Sequence, residues 1–147
     1  MSMVIVGGSL AVATAGLGAA MPAAATTAVP ARAAATTIHL QKTPVGKRLT
    51  AHGSRTVYMF TIDTVNTSNC KKKCLKTWKP VTSKHAAKAG AHVVKSKLRR
   101  IAHHQVSYNG HPLYYYIGDT GKRQANGEAL FAFKGYWYTL TKKGNQG

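Results

Sequence analysis

The feature that most constrains this chain is an internal repeat. Tyr58-x-Phe60-x-x-Asp63-Thr64 recurs as Tyr114-x-Tyr116-x-x-Asp119-Thr120, at a constant offset of 56 residues. Each copy follows a two-residue turn, Gly53-Ser54 ahead of the first and Asn109-Gly110 ahead of the second. In an extended strand, side chains two apart share a face, so Tyr58 and Phe60 form an aromatic pair, and so do Tyr114 and Tyr116. Asp63 and Asp119 then fall where each strand ends, where an aspartate side chain is expected to close an Asx-type turn with the threonine that follows. A chain that repeats a strand and its turn must pack the two copies into one structure.

The acid count gives the repeat its weight. The 147 residues carry 21 Lys and Arg against 3 Asp and Glu, a net charge of +18. Two of those three acids occupy equivalent positions in the repeat. So few carboxylates argue against paired-carboxylate hydrolases, carboxylate-rich Ca²⁺ sites and Walker-type Mg²⁺ sites. An apolar content of 44%, with seven Tyr and two Trp, is enough to build a core and excludes a disordered basic tail. Two cysteines exclude a multi-bridge miniprotein and a four-thiolate metal site.

Residues 1–35 read as an export segment. They carry one charge, Arg32, and are dominated by Ala, Gly, Val and Thr. Small residues suit signal peptidase cleavage after Ala25 or Ala35, although Met1-Ser2-Met3 supplies no basic start. The first cysteine is Cys70, so no lipid anchor is evident near either cleavage site. The expected mature domain, 36–147, is extracytoplasmic, secreted or associated with the cell envelope.

That domain reads as mainly β, or β-rich α+β. It is expected to be a small single domain of antiparallel hairpins built from two related repeats, about 43–80 and 101–144. The first hairpin joins Lys47–His52 to Arg55–Ile62 across Gly53-Ser54, and the second joins Ile101–Tyr108 to His111–Ile117 across Asn109-Gly110. A third joins Ala129–Phe133 to Tyr136–Leu140 across Lys134-Gly135. Between the first two, Thr67–Lys97 lacks strand alternation and forms an irregular insertion with one or two short helices, its Lys84–Lys97 stretch exposed.

Several ordered motifs carry a family resemblance. Tyr58–Asp63 and Tyr114–Asp119 fit a Tyr-x4-Asp signature; Cys70-x3-Cys74 precedes Trp78-Lys79-Pro80; Tyr108-Asn109-Gly110-His111-Pro112-Leu113-Tyr114 forms a compact block; Gly135-Tyr136-Trp137-Tyr138 closes the chain. Together they resemble the bacterial secreted-repeat proteins with a Tyr-x4-Asp motif, many described as predicted lipoproteins. The resemblance covers roughly residues 43–144. It departs at Lys79, where the family has proline, in the Lys-rich stretch, and in the missing lipidation cysteine. It implies export and assigns no biochemical activity.

Cys70 and Cys74 admit three readings. The first is a structural disulfide. Cβ atoms four apart in a helix lie about 5–6 Å apart, and a disulfide wants about 3.5–4.5 Å, so a bridge requires a loop or a distorted turn. The second is a copper or zinc site completed by an imidazole such as His111, His103 or His104. The third is a redox pair whose thiolate Lys71–Lys73 would stabilise. His103 and His104, read as strand residues, point to opposite faces and do not serve one site. No catalytic triad order can be assembled, so catalytic residues and cofactors are expected to be none.

Among the aromatics, Tyr58, Phe60, Tyr114, Tyr116 and Trp137 are expected in the core, and Tyr115 on the exposed face. The positive charge points to anionic partners: a cell-wall polymer, a polysaccharide or a lipid surface. Its scatter, with no nucleic-acid module beside it, argues against specific nucleic-acid recognition. The expected function is a non-catalytic binding module favouring anionic surfaces, with the metal or redox protein as its alternative.

Overall fold

The computed structural model describes residues 34–147 together with Gly16. Apart from Gly16, Ala34 and Ala35, the expected export segment therefore lies outside the described residues. The first anchoring contacts are at Thr36, whose N–H donates to Ser83 Oγ at 3.0 Å and whose hydroxyl donates to the Thr82 carbonyl at 2.8 Å.

The chain is mainly β. Its strands are β1 (Thr37–Thr43), β2 (Gly46–Ala51), β3 (Arg55–Thr56), β4 (Tyr58–Phe60), β5 (Trp78–Pro80), β6 (Lys88–Ala89), β7 (Leu98–Arg100), β8 (Val106–Tyr108), β9 (His111–Pro112), β10 (Tyr114–Tyr116), β11 (Leu130–Ala132) and β12 (Gly135–Thr139). One helical turn, α1 (Cys74–Thr77), precedes β5. The strands form sheets of order β3-β2-β1-β6, β11-β12-β4-β10-β5 and β7-β8-β9. Every pairing is antiparallel except the short parallel contact of β1 with β6.

The first two expected hairpins are present, but the first turns through His52-Gly53-Ser54 and not Gly53-Ser54 alone, since Ala51 pairs with Arg55, and the second strands of both are shorter than the sequence suggests. Arg55–Ile62 was expected to run as one strand. Instead β3 stays with β2, the chain changes sheet at Val57, and β4 enters the five-stranded sheet. Leu113 makes the same handover between β9 and β10. Val57 and Leu113 are fully buried, and their N–H groups donate to the Leu49 and Val106 carbonyls at 3.1 and 2.9 Å. Residues 56–60 are buried without interruption, so no alternation marks the break. Likewise, Ile101–Gln105 is not a strand. Ala102–His104 forms a 3-10 turn with His103 and His104 in the left-handed region, and the partner of β8 is β7, further upstream.

A further strand precedes the first expected hairpin, since β1 pairs with β2 across Pro44-Val45, and the third turn differs in register. In the third hairpin Ala132 pairs with Gly135, so the turn is Phe133-Lys134 and not Lys134-Gly135. Both turn residues have positive φ, 57° and 70°, the geometry of a type I′ turn built without glycine. Gly135 lies in the strand, where a Cβ would meet the Phe60 ring at 2.7 Å, so the glycine serves packing and not the turn.

Aromatic and aliphatic packing divide at the five-stranded sheet. One face buries Tyr58, Phe60, Trp78, Tyr114 and Trp137 with Cys70 and Cys74. Met59 points the other way, into an aliphatic core of Ile38, Leu49, Val57, Val81, Val106, Leu113 and Leu140, with Tyr115 and Tyr138 packed against it. Lys84–Lys97 is largely exposed, but Ala87, Val93 and Val94 pack onto that core.

The register of the third hairpin can be tested directly. Gly135→Ala should destabilise the domain by about 1–3 kcal/mol through overpacking. Lys134→Gly, which relieves a left-handed residue, should stabilise it by up to about 1 kcal/mol. Urea unfolding of the two variants measures both.

Candidate functional site

The five-stranded sheet is built around an approximate two-fold relation between the repeats. Tyr58 of β4 pairs with Tyr114 of β10, each motif tyrosine against its equivalent. On one side of this pair Trp137 lies opposite Phe60, and on the other Trp78 lies opposite Tyr116. Each repeat's tryptophan strand therefore pairs with the aromatic strand of the other repeat. The two indoles stack with centroids 3.8 Å apart and planes 2° from parallel. Phe60 stacks on Trp137 at 4.1 Å, and Tyr116 on Trp78 at 4.5 Å.

The motif aspartates extend this exchange. Tyr58 donates its hydroxyl to Asp119 Oδ2 at 2.6 Å, and Tyr114 donates to Asp63 Oδ2 at 2.8 Å. Each tyrosine thus reaches the aspartate of the opposite repeat. The other carboxylate oxygens accept backbone N–H groups, Asp63 Oδ1 from Asn69 at 2.7 Å and Asp119 Oδ1 from Asn126 at 2.9 Å. Asn69 and Asn126 donate back to the carbonyls of Ile62 and Gly118 at 2.8 and 3.2 Å. The expected Asx turn onto the next threonine is replaced by a wider closure onto an asparagine. The physical reason is satisfaction: a carboxylate beside buried aromatic rings needs a donor on each oxygen.

Sequence reasoning missed Asn69, Asn126, Ser68 and Gly127. Ser68 Oγ lies 2.7 Å from the Tyr114 phenol oxygen, and Gly127 N–H donates to the Tyr58 oxygen at 3.2 Å. The signal existed, but the Asp-to-Asn spacing is six residues in one copy and seven in the other. A comparison at fixed offset passes over it.

Burial pushes the Tyr58 and Tyr114 phenols well above their ordinary range, and the neighbouring carboxylates push the same way. Both remain donors across the physiological range. Burial also raises Asp63, against the lowering effect of Asn69, Tyr114 and Lys71.

Cys70 and Cys74 are joined to each other, with Cα atoms 5.3 Å apart. Lys72 between them has a positive φ of 45°, the non-helical turn that a bridge at this spacing requires. The disulfide lies against the Trp78 layer. His111 opens β9 in the three-stranded sheet, half-buried, and burial lowers its pKa. Opening the disulfide is the precondition for any thiolate chemistry at Cys70 and Cys74. Among the described residues, no group of three or more His, Cys, Asp or Glu is placed to hold a metal ion. His103 and His104 sit in their 3-10 turn, where His104 contacts the Arg100 guanidinium.

Tyr58, Phe60, Tyr114 and Trp137 are buried, and Tyr116 is half-buried. Tyr115 is not the exposed ring expected of it. It packs on the aliphatic core, with the Arg55 guanidinium 4.5 Å above its ring. The exposed aromatics are Phe131, Phe133 and Tyr136 of the third hairpin.

The third acid is also engaged in the fold, since Glu128 Oε2 accepts the Thr139 N–H at 2.7 Å. The basic clusters are at the surface. Lys71–Lys73, Arg99-Arg100 and Lys142-Lys143 are all exposed. A cleft of about 370 Å³ at the tip of the β1–β2 hairpin is lined by Leu40, Lys42, Lys47, His92 and Lys142.

A family model described as a secreted repeat of unknown function matches the chain twice, over residues 40–82 and 99–141. The two matches span the halves that exchange strands and tyrosine–aspartate bonds. No curated protein and no solved structure matches the chain. No helix among the described residues is long and apolar enough to cross a membrane.

The tyrosine–aspartate exchange predicts energetic coupling between the repeats. Tyr58→Phe should cost about 1.5–3 kcal/mol, because it leaves a buried carboxylate oxygen without its donor. Combined with Asp119→Asn the losses should be non-additive, and a double-mutant cycle by urea unfolding measures that coupling. A pH effect follows from Asp63. Its folded pKa lies above the ordinary 3.8, so the native state holds this proton more tightly than the unfolded chain does. Its contribution to stability therefore falls as pH rises from 3.8 through the folded value. Asp63→Asn should flatten that part of the pH–stability curve.

Proposed function

The chain belongs to the family of secreted repeats, and on that premise we propose that it is a non-catalytic, extracytoplasmic binding module for anionic surfaces. The observation that carries this reading is where the acids are. Asp63, Asp119 and Glu128 direct their oxygens to tyrosine hydroxyls and backbone N–H groups within the fold. Against these three stand 21 Lys and Arg. A surface of one sign attracts polyanions over roughly a Debye length, about 10 Å at 0.1 M salt.

The partner class is a cell-wall polymer, an acidic polysaccharide or an anionic lipid surface. The basic side chains come from separate loops and strand ends, which suits a surface gripped at several points and not a groove that reads bases. Binding of this kind releases counterions and weakens steeply with salt.

The test is retention of the purified protein on an anionic matrix at increasing salt. Affinity should fall about tenfold or more between roughly 50 and roughly 200 mM salt. Retention insensitive to salt would overturn the proposal.

A further inference from the structure

We infer that the cleft at the tip of the β1–β2 hairpin is a site for a tetrahedral oxyanion, the phosphate or sulfate ester group of an extracellular polymer. The inference rests on the anionic-surface reading and narrows it to one place and one chemistry.

The hairpin register puts Lys42 directly opposite Lys47, two pairs beyond Leu40 and Leu49 and so on the same face. Like charges directly opposite on paired strands are destabilising. A third cation, Lys142, and the His92 imidazole reach the same cleft from two other segments. No carboxylate lines it, because the three acids are engaged elsewhere. The fold therefore concentrates positive charge where its own chain provides no relief, and a bound anion would provide it.

The cleft is also braced from within. Tyr108 is fully buried. Its hydroxyl donates to the Lys142 carbonyl at 2.7 Å and accepts the Val94 N–H at 3.1 Å. One buried phenol thus ties down the loop that carries Lys142 and the loop that carries His92. Leu40 gives the cleft an apolar lining, beside which charge interactions are stronger than in open water.

The donor set indicates the class of anion. Lysine ammonium groups are compact point charges that donate to oxygens in many directions, whereas a planar carboxylate is matched by the fork of arginine. Here Lys42, Lys47 and Lys142 converge from the two hairpin strands and the C-terminal segment, which suits oxygens arranged in three dimensions. A phosphate or sulfate ester presents such oxygens.

The experiment is thermal unfolding of the full chain at fixed ionic strength, with sodium phosphate, sodium sulfate, long-chain polyphosphate or alginate replacing sodium chloride. Phosphate and sulfate should raise Tm saturably, and alginate, a carboxylate polymer, should raise it less. Polyphosphate should bind about tenfold tighter per phosphate group than orthophosphate, because neighbouring groups on one chain act together. Lys42→Thr removes the like-charge pair. Without anion it should unfold at or above the wild-type temperature, and its affinity for phosphate should drop about fivefold, the contribution of one lysine near an anionic surface. Lys134→Asn, at the tip of the third hairpin, keeps a residue that tolerates the left-handed region and should respond to phosphate as the wild type does.

A full phosphate response in Lys42→Thr would overturn the site, and an equal response to alginate would overturn the chemistry. Equal binding of orthophosphate and polyphosphate would overturn the polymer as its source. Salt-sensitive matrix retention without any phosphate response would sink this site alone. Salt-insensitive retention of the wild type would sink the broader reading.

Discussion

The exchange of hydroxyl and carboxylate between the repeats is the constraint on which the rest of the structure depends. Tyr58 is satisfied by Asp119, and Tyr114 by Asp63, so neither repeat completes its own polar contacts. The same exchange governs the backbone, because β12 pairs with β4 and β5 pairs with β10. The indole stack on the axis between them then has both its members fixed by strands of opposite parentage. Aromatic burial contributes most of the driving force in this layer. The charge-assisted bonds contribute geometry, since a buried carboxylate tolerates few arrangements of its donors.

Much of this arrangement was legible in the sequence. The offset of the two motifs picked out the aromatic residues of β4 and β10, though not the ends of those strands, and Asn109-Gly110 marked a turn whose residues both take positive φ. What was hidden follows from particular physical causes. Phe133 and Lys134 adopt left-handed conformations without the glycine that usually announces them, so the third turn was displaced by one residue. Val57 and Leu113 look like ordinary strand residues because the chain is buried on both sides of the sheet change. The role of the aspartates could not be read from neighbours in sequence, because the deciding partner lies in the other copy. Tyr115 alternates correctly with Tyr114 and Tyr116, but its face of the sheet is covered by the aliphatic core.

Electrostatically the chain divides its labour. The few acids are internal fasteners, and the many bases are left to the surface. Each motif carboxylate needs a donor on each oxygen beside aromatic rings, and the fold supplies tyrosine and asparagine, neutral donors, for this purpose. With cations absent from these bonds, lysine and arginine are free to face outward. Internal hydrogen bonding and external charge are then two sides of one allocation.

The palindromic sheet order β12-β4-β10-β5 has a topological consequence. A contact in which each half offers the same surface to the other is the isologous kind that ordinarily joins two subunits. Here one chain contains both halves, so a protomer with a single such repeat would complete its sheet only by finding a twin. Covalent linkage makes that meeting intramolecular and independent of concentration. It also frees the halves from being identical. One carries a hairpin with Lys42 opposite Lys47 and the other a 3-10 turn holding His103 and His104, a specialisation that no symmetric homodimer can reach.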